Sequence, residues 1–249
     1  MLKIIIQGIS GKMGKTLYRI ISEGKEHKVV AGISRSNAML DIPIYHNLNE
    51  VKEKADVCID FSNHSAVTGL LESAVKKKLP LVICTTGFTD DEMAAINDAS
   101  KIIPVFQSFN TSIGVAATES LVSLAARLLR NFDVEIVEAH HNQKMDSPSG
   151  TAIMLARAIR DNTPEKNILK YGRYGHESRE KNEIGIHSIR GGSIIGEHTV
   201  IFAGEGEMIE IKHTSLSRDI FAIGAIRAAE FIVNKVPGLY SMKDLLEEA

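Results

Sequence analysis

Short apolar runs alternate with helix-like stretches through the first hundred residues, and this alternation constrains the fold more than any other feature. The apolar runs are rich in β-branched residues and lie at residues 2–7, 28–33, 56–60, 79–84 and 102–106. Between them, residues 12–23, 63–78 and 90–100 place apolar side chains three and four positions apart. Strands that alternate with helices of this length form βαβ units, so this region predicts a parallel sheet covered by helices on both faces.

The pattern changes after about Asn110. Helices are predicted at residues 111–131 and 151–160, and strands at residues 134–140, 183–190, 193–203 and 207–213. Two glycine-containing turns, Gly191-Gly192 and Gly204-Glu205-Gly206, separate the last three strands and predict hairpins in a mixed or antiparallel sheet. The polar stretch 161–182 predicts a solvated loop. Residues 217–233 return to helical spacing and predict a helix that folds back on the first domain.

These patterns predict an α/β protein with two domains. Residues 1–110 together with 218–249 are expected to form a Rossmann-like domain with a parallel sheet. Residues 111–217 are expected to form an α+β domain with a mixed open sheet, whose edges need cover and favour oligomerisation. The histidine- and lysine-containing segment described below makes it the expected substrate-binding domain. The formal net charge of −2 favours neither nucleic acid nor an anionic membrane as a partner.

The cysteines and the apolar segments indicate the cellular compartment of the protein. Cys58 and Cys84 have neither metal-ligand nor redox spacing, and each closes an apolar run, so both are predicted to be buried strand thiols. The apolar run at residues 4–6 is too short for the ~7–15 residues of a signal-peptide core. Residues 221–233 are interrupted by Arg227 and Glu230 and fall short of the ~20 residues that span a bilayer. A cytoplasmic protein is therefore expected.

A glycine-rich loop follows the first predicted strand and precedes the first predicted helix. Its residues are Gly8, Ile9, Ser10, Gly11, Lys12 and Met13, and Gly14 completes a Gly-x-x-Gly-x-x-Gly spacing. Glycines let the backbone approach a pyrophosphate closely, and the helix N-terminus supplies free N–H groups and a positive dipole end. A plain strand-to-helix turn is the alternative, but the βαβ context favours a dinucleotide site.

The end of the second predicted strand bears on the choice of nucleotide. This position commonly carries an acid that binds the adenosine ribose of NAD, or a base that binds the 2′-phosphate of NADP. Here the strand ends in Ser34-Arg35-Ser36, without a carboxylate. An arginine fork beside hydroxyl groups suits a phosphate, and Lys12 is placed to reach the same anion. NADPH is therefore expected to be preferred over NADH, with an exposed loop arginine as the alternative.

Two later loops follow predicted parallel strands at their carboxyl ends, where nucleotide contacts are expected. The first contains Cys84, Thr85, Thr86 and Gly87, and the second contains Ser108, Phe109, Asn110 and Thr111. Hydroxyl groups and tight turns at these places could line the nicotinamide side of the site. Ordinary strand exits explain both loops equally well.

A histidine- and lysine-containing segment lies between a predicted strand and a predicted helix in the second domain. It begins at Glu138 and contains His140, His141 and Lys144, which can donate protons or bind carboxylates. Pro148 prevents a helix from running through it. Ser149-Gly150-Thr151 then opens the next helix, whose N-terminus would hold an anionic group, although simple N-capping accounts for the hydroxyl groups as well.

The same segment closely resembles the signature of the 4-hydroxy-tetrahydrodipicolinate reductases, long called dihydrodipicolinate reductases. The likeness lies in the His-His pair, the lysine and the Asp-x-Pro-Ser-Gly-Thr-Ala order that ends at Ala152. Further matches are residues 8–14, Asp60-Phe61-Ser62, Cys84-Thr85-Thr86-Gly87-Phe88, Gly196-Glu197-His198-Thr199 and Ser217-Arg218, so the resemblance covers essentially the whole chain. It implies NAD(P)H-dependent reduction of a cyclic dicarboxylate imine in bacterial lysine and diaminopimelate synthesis, by a homotetramer.

The resemblance also implies roles for individual residues. His140 is the implied proton donor, with Lys144 as its catalytic companion. The substrate carboxylates are implied to contact His141, Lys144, Gly150 and Thr151. The nucleotide is implied to contact Gly8 to Met13, Ser34-Arg35, Cys84 to Thr86 and Ser108 to Thr111. Two departures stand out: the family often has an acid where Ser34 stands, and its usual Asn-Phe-Ser appears here as Asn110-Thr111-Ser112.

Other functions fit parts of the pattern less well. A semialdehyde dehydrogenase with the same layout needs a nucleophilic cysteine in its second domain, and this chain has none after Cys84. A non-catalytic NADP-sensing protein would have no use for an intact His-His-x-x-Lys and Ser-Gly-Thr set. No metal site is expected, because adjacent residues such as His140 and His141 point in opposite directions on an extended strand.

Overall fold

The computed structural model describes residues 1–36, 39–164 and 167–248. It divides into two compact units, the first comprising Met1–Ile113 and Asp219–Ala249 and the second comprising Gly114–Arg218. Within the described ranges, no helix combines the length and the apolar character needed to cross a membrane.

Twelve strands and seven α-helices are assigned in the described residues. In chain order they are β1 (Leu2–Gln7), α1 (Lys12–Glu23), β2 (His27–Ile33), β3 (Ile44–Tyr45), β4 (Val57–Asp60), α2 (Val67–Lys77), β5 (Leu81–Ile83), α3 (Asp90–Ser100), β6 (Pro104–Gln107), α4 (Ile113–Leu128), β7 (Asp133–His140), α5 (Gly150–Asp161), β8 (Ile168–Tyr171), β9 (Glu183–Arg190), β10 (Gly196–Ala203), β11 (Met208–Ser215), α6 (Asp219–Ile232), β12 (Gly238–Tyr240) and α7 (Met242–Glu247). The sequence patterns do not predict the very short β3, the edge strand β8 or the elements after α6.

The first unit contains a parallel sheet with the strand order β3-β2-β1-β4-β5-β6-β12. The first six strands of this order give the arrangement of doubly wound dinucleotide-binding folds, and the predicted Rossmann-like class is confirmed. One face packs against α2 and α3 around buried residues such as Leu70, Leu81 and Ile96. Helix α6 contacts α1, β4, β5 and β6, so the late helix does return to the first unit as predicted.

The carboxyl ends of the parallel strands lie in one row across this sheet. Gln7 at the end of β1 pairs with Ile33 on one side and Asp60 on the other. Asp60 pairs in turn with Ile83, which pairs with Gln107. Each loop predicted to contact a nucleotide follows one of these residues directly. The fold therefore gathers four separate segments of the sequence at one edge of the sheet.

Both cysteines are buried next to this row. Cys58 lies inside β4 with no exposed surface, and Cys84, which directly follows β5, is 7% exposed. Burial raises the pKa of both thiols, and the negative charge of Asp60 adds to the effect. The prediction of buried thiols is confirmed, and their ionised form is disfavoured.

The second unit contains a mixed sheet with the strand order β11-β10-β7-β9-β8. Its buried side chains, including Ile136, Val200 and Phe202, pack against Leu155 and Ile159 of α5 and against residues of α4. Strand β7 is central, pairing parallel with β9 and antiparallel with β10. The predicted mixed sheet is confirmed, and so is the hairpin at Gly204-Glu205-Gly206, which joins the antiparallel β10 and β11.

The hairpin predicted at Gly191-Gly192 is wrong, because β9 and β10 lie on opposite sides of β7 instead of pairing with each other. The glycine turn crosses the end of β7 and bonds to it: Gly191 N–H donates to His140 O at 2.9 Å, and Asn142 N–H donates to Gly192 O at 3.3 Å. This connection places Arg190 beside His140 in the parallel register of β7 and β9.

The predicted solvated loop at residues 161–182 is wrong in part, because it contains the edge strand β8, which pairs parallel with β9. Residues 165 and 166 of that stretch lie outside the described ranges. Its charges are consistent with an edge position: Lys170 pairs with Glu177, and Arg173 pairs with Glu183. An edge strand can expose polar side chains to solvent and still pair with its neighbour. Polar composition therefore does not distinguish such a strand from a loop.

Candidate active site

The glycine loop of the first unit has the geometry of an anion site. Gly8 has φ +79°, and Gly11 N–H donates to its carbonyl oxygen at 2.9 Å, which closes a tight turn before α1. Within the described residues, no side chain caps α1 at Gly11. The N–H groups of the first helical turn are therefore left for another acceptor, and this arrangement fits the pyrophosphate of a dinucleotide.

A cluster of serine hydroxyl groups lies beside this loop. Ser34 Oγ donates to Ser10 Oγ at 2.7 Å, and Ser36 Oγ donates to Ser10 Oγ at 3.1 Å. The structure thus brings together Ser10 and Ser34, two predicted nucleotide contacts that are distant in sequence, and adds Ser36, which was not in the predicted set. Arg35 between the two serines is exposed. Hydroxyl groups and an exposed arginine at the end of β2 suit a ribose phosphate.

The loop after β5 is held by a buried aspartate. Thr85 Oγ1 donates to Asp60 Oδ2 at 2.8 Å and accepts from Ser62 N–H at 3.0 Å. Burial raises the pKa of Asp60, although Ser62 and Thr85 hydrogen-bond to it. The hydroxyl of Thr85 is therefore engaged inside the unit, while Thr86 is exposed. Nucleotide contacts at positions 84 and 85 would come from the backbone.

The loop after β6 is ordered by its own hydrogen bonds. Ser108 Oγ donates to Asn110 O at 2.7 Å, and Asn110 Oδ1 accepts from Ser112 N–H at 2.9 Å. Thr111 is buried, and its hydroxyl donates to Phe221 O in α6 at 2.7 Å. Phe109 is 59% exposed, which makes it the ring in this loop that a nicotinamide could contact.

In the second unit, the buried carboxylate of Glu138 is the centre of the histidine segment. Its Oε2 accepts from His140 Nδ1 at 2.6 Å, and both its oxygens accept from the two terminal nitrogens of Arg190 at 2.8 Å. Its Oε1 also accepts from Ser149 N–H at 3.1 Å. Burial raises the pKa of Glu138, but the accepted hydrogen bonds, first those from Arg190, outweigh burial and lower the pKa to about 2.

The ring of His140 has distinct surroundings at its two nitrogens. Nδ1 bonds to Glu138, and the position that a Cβ on Gly196 would occupy lies 3.1 Å from Nε2. Burial lowers the pKa of His140, and the bond and charge of Glu138 oppose this shift. The net effect is a lowered pKa, so the charged form of His140 in this site depends on the carboxylate of Glu138.

A second histidine, His198 of β10, packs against the first. The two rings meet edge to face with centroids 5.2 Å apart, and His198 is 4% exposed. Its Nε2 lies 2.9 Å from Ser149 Oγ, while its Nδ1 has no hydrogen-bond partner among the described residues. Burial, and after it the charge of His140, lowers the pKa of His198 to about 4, so His198 is neutral at physiological pH.

Lys144, predicted to act with His140, pairs with an aspartate from its own loop. Its Nζ lies 2.7 and 2.8 Å from the two carboxylate oxygens of Asp146. The Lys144 hydrogen bond lowers the pKa of Asp146. Arg190 also donates to the backbone oxygen of Asp146 at 2.8 Å, which ties this loop to the end of β9.

The N-terminus of α5 carries the remaining predicted residues. Ser149 is the N-cap, and its Oγ accepts from Ala152 N–H at 3.2 Å, so the alternative of N-capping is confirmed for Ser149. Among the described atoms, nothing lies within 4 Å of a Cβ built on Gly150, which leaves room for a ligand at the helix end beside Thr151. The guanidinium of Arg218 lies 3.4 Å from His141 Nε2. The positive end of a helix suits a carboxylate.

Sequence reasoning missed several members of this site. The sequence marks Glu138 as the start of the segment but does not reveal that several donors share its carboxylate. The sequence does not indicate a role for Arg190, because it is 52 residues from Glu138. The two residues meet through the parallel pairing of β7 and β9, where a hairpin of β9 and β10 was predicted. His198 was matched only as part of a family motif. Within the described ranges, neither His140 nor His141 belongs to a group of three ligand atoms close enough to share a metal ion.

Comparison with known proteins gives consistent results over the whole chain. The family model described as dihydrodipicolinate reductase, N-terminus, matches residues 2–111, and the one described as its C-terminus matches residues 114–246. The 4-hydroxy-tetrahydrodipicolinate reductase of Caldanaerobacter subterraneus subsp. tengcongensis is 51% identical over 249 residues, covering 100% of this chain and 99% of that protein. The protein of the same name from Clostridium tetani is 48% identical over 248 residues, covering 99% and 97%.

A solved structure is similar over the same extent. The dipicolinate-bound dihydrodipicolinate reductase from Paenisporosarcina sp. TG-14 superposes with a TM-score of 0.83 at 26% identity, covering 97% of each chain. Similarity in sequence and in fold therefore both extend across the two units.

Proposed function

We infer that this chain, which belongs to the dihydrodipicolinate reductase family, reduces the dihydrodipicolinate-type cyclic imine that forms from 4-hydroxy-tetrahydrodipicolinate. The product is tetrahydrodipicolinate, in the synthesis of diaminopimelate and lysine. The observation that carries the proposal is the contact set around Glu138, which links His140 to the N-terminus of α5, where Gly150 leaves room for a ligand. The structural relative that binds dipicolinate, a cyclic dicarboxylate, supports the same substrate class.

The nucleotide is proposed to bind the edge of the first unit where the strand ends meet. Its pyrophosphate would lie on Gly8 to Met13 and its adenosine ribose on Ser34 and Arg35, with the nicotinamide near residues 84–86 and 108–111. The uncapped start of α1 and the serine cluster support this placement. When bound, the nicotinamide supplies the hydride for carbon 4 of the substrate ring.

The substrate is proposed to bind the second unit through its two carboxylates. The N-terminus of α5 at Gly150 and Thr151 would hold one of them by backbone N–H groups and the helix dipole. His141 and Lys144 would hold the other, with the substrate taking over part of the contact that Lys144 now makes with Asp146. Lys144 and the helix N-terminus also favour the charge that develops on the ring during reduction.

His140 is proposed to supply the proton that completes the reaction. Reduction at carbon 4 builds electron density at the far end of the conjugated system, and a positioned acid there typically contributes ~10²–10⁴-fold to the rate. Binding of a dianionic substrate beside His140 raises its pKa and favours the imidazolium. Lys144 helps by neutralising the carboxylate next to the reacting ring.

A coupled assay tests the proposed function. The chain should consume NADPH when the product of 4-hydroxy-tetrahydrodipicolinate synthase is added, and tetrahydrodipicolinate should accumulate. A different dehydrogenase would not use this substrate, and a nucleotide-sensing protein would bind NADPH without consuming it. Either of those results would contradict the proposal.

Arg35 is proposed to give the chain its preference for NADPH. Arg35→Glu should lower the NADPH/NADH ratio of kcat/KM by roughly 10-fold or more, because a charge-assisted contact worth about 1.5–3 kcal/mol is replaced by repulsion. Lys76→Glu, the same charge change at an exposed position near the end of α2, is the control and should leave the ratio unchanged. An unchanged ratio in Arg35→Glu would show that Arg35 is not the discriminator.

We also propose that the chain assembles as a homotetramer through its second unit. The sheet face turned away from α4 and α5 carries apolar side chains that are partly exposed, such as Ile189 at 50% and Met208 at 59%. An apolar face of this kind favours self-association. Size-exclusion chromatography with light scattering should give the mass of four chains, and a monomer mass would contradict the proposal.

A further inference from the structure

One ion pair with a buried carboxylate, Glu138–Arg190, connects the proposed proton donor to the helix end that is proposed to hold the substrate. Glu138 has no exposed surface, and it accepts hydrogen bonds from His140, from Arg190 and from the backbone N–H of Ser149. The sequence motif alone does not explain why a carboxylate occupies position 138. Its three hydrogen-bond donors indicate what it does.

We propose that Glu138, held as a carboxylate by Arg190, is a positioning residue for the reduction. It fixes the ring of His140 with Nδ1–H turned inward, so that Nε2 is the nitrogen that releases the proton. The inference rests on the proposed function in one respect, namely that His140 is the proton donor.

The neighbours of Glu138 determine that it is ionised. Arg190 and the Ser149 N–H can only donate hydrogen bonds, and together they occupy both carboxylate oxygens. A protonated Glu138 would direct its own O–H toward one of these donors and lose that bond. The two parallel bonds from the Arg190 fork are the strongest contacts of this kind that a carboxylate makes.

An ionised Glu138 in turn determines the protonation of His140. Since a carboxylate only accepts, the nitrogen 2.6 Å away must carry a proton, and Nδ1 is that nitrogen. In the imidazolium, Nε2 then carries the second proton, which is the one available to the substrate. Its release leaves the neutral tautomer with Nδ1–H still bonded to Glu138, so the ring does not have to turn during the reaction.

The same pair fixes the carboxylate-binding loop relative to His140. Glu138 holds the backbone of Ser149, the N-cap of α5, and Arg190 holds the backbone oxygen of Asp146. Asp146 is the partner of Lys144. The proposed proton donor, the lysine and the helix end are thus all attached to one ion pair. A small displacement of that pair would move these groups out of line with the substrate.

Four charged or titratable groups face His140. They are Glu138 from its own strand, Lys144 from the following loop, Arg190 from the end of β9 and His198 from β10. Glu138 raises the pKa of His140, whereas the positive charges of Lys144 and Arg190 lower it. Neutralising Glu138 therefore lowers the pKa of His140, and the acid form is lost at a lower pH.

Two variants test the proposal. Glu138→Gln removes the charge, and Glu138→Gln/Arg190→Met removes both charges, so that no unpaired, partly buried arginine remains to prevent folding. Both should lower kcat at least ~10-fold, because His140 loses its orientation, while the KM for NADPH stays nearly unchanged. The decline of kcat with rising pH should begin at a lower pH than in the wild type.

The matched control removes a similar pair from the same sheet. Glu183 is 6% exposed and pairs with Arg173, and neither residue contacts His140. Glu183→Gln and Glu183→Gln/Arg173→Met should keep the wild-type kcat and pH profile. If these variants lose as much activity as the Glu138 variants, and with the same pH shift, the positioning role is overturned.

Nitrogen-15 NMR of the histidine rings gives a result that does not depend on activity. Neutral His140 should be the Nδ1–H tautomer in the wild type and should show a mixture of tautomers in the double variant. A wild-type His140 protonated at Nε2 instead, or variants with unchanged kcat and pH profile, would overturn the proposal. If the wild type is inactive, the proposed function is overturned. The tautomer of His140 measured by NMR would still show whether Glu138 orients the ring.

Discussion

His140→Ala is expected to lower kcat by ~10²–10⁴-fold, the range that a positioned general acid contributes. The side chain bonds to Glu138 through Nδ1, and Nε2 is the nitrogen proposed to give its proton to the substrate, so the substitution removes the proposed donor. The KM for NADPH should hardly change, because the nucleotide is proposed to bind residues of the first unit. Steady-state kinetics with both substrates varied measure kcat and each KM separately.

The control for this prediction is His27→Ala. His27 also pairs with a glutamate, Glu230, at 2.9 Å, and its side chain is 12% exposed, as is that of His140. It lies at the amino end of β2, at the opposite end of that strand from Ser34. A kcat near the wild-type value in His140→Ala would remove His140 from the mechanism, and an equal loss in both variants would point to general destabilisation.

Gly14→Ala is expected to damage both stability and nucleotide binding. A Cβ on Gly14 would lie 2.2 Å from Gly8 O and 2.6 Å from Ile9 Cα, far inside contact distance and against backbone that cannot move aside alone. Overpacking of this kind costs about 1–3 kcal/mol or more. Because the displaced loop is the proposed pyrophosphate site, the Kd for NADPH should rise as well. Denaturant unfolding and nucleotide titration measure the two effects.

Gly69→Ala is the matched control for Gly14→Ala. Gly69 also lies inside a helix of the first unit, but a Cβ built on it has no described atom within 4 Å. Alanine there should raise the free energy of unfolding by about 0.5–1 kcal/mol through helix propensity and leave the Kd for NADPH unchanged. Tight NADPH binding by Gly14→Ala would contradict the placement of the pyrophosphate on this loop.

The fold of the first unit could be predicted because its signals are local. Each strand is a short β-branched run, each helix has a repeat of three to four residues, and right-handed βαβ connections leave few ways to order the strands. The gathering of Gly8, Ser34, Thr85 and Ser108 at one sheet edge follows from that topology. What the topology does not give is the direction of each side chain. Thr85 and Thr111 direct their hydroxyl groups into the unit.

The second unit was predicted less completely, because its decisive pairings are long-range. A glycine turn between two apolar runs predicts a hairpin, but β7 lies between β9 and β10 and pairs with both of them. That arrangement brings Arg190 and His198 to either side of His140. The local motif contains Glu138, His140, Lys144 and the start of α5, whereas Arg190 and His198, which contact them, come from distant strands.

Transfer of a deuterium label tests the central claim most directly, since nucleotide consumption alone does not locate the reduced atom. The wild-type chain is given freshly prepared 4-hydroxy-tetrahydrodipicolinate and NADPH that carries deuterium at both positions of nicotinamide carbon 4. The tetrahydrodipicolinate formed should contain one deuterium, located by NMR at ring carbon 4. A product without deuterium, or with deuterium at another ring atom, would contradict the account.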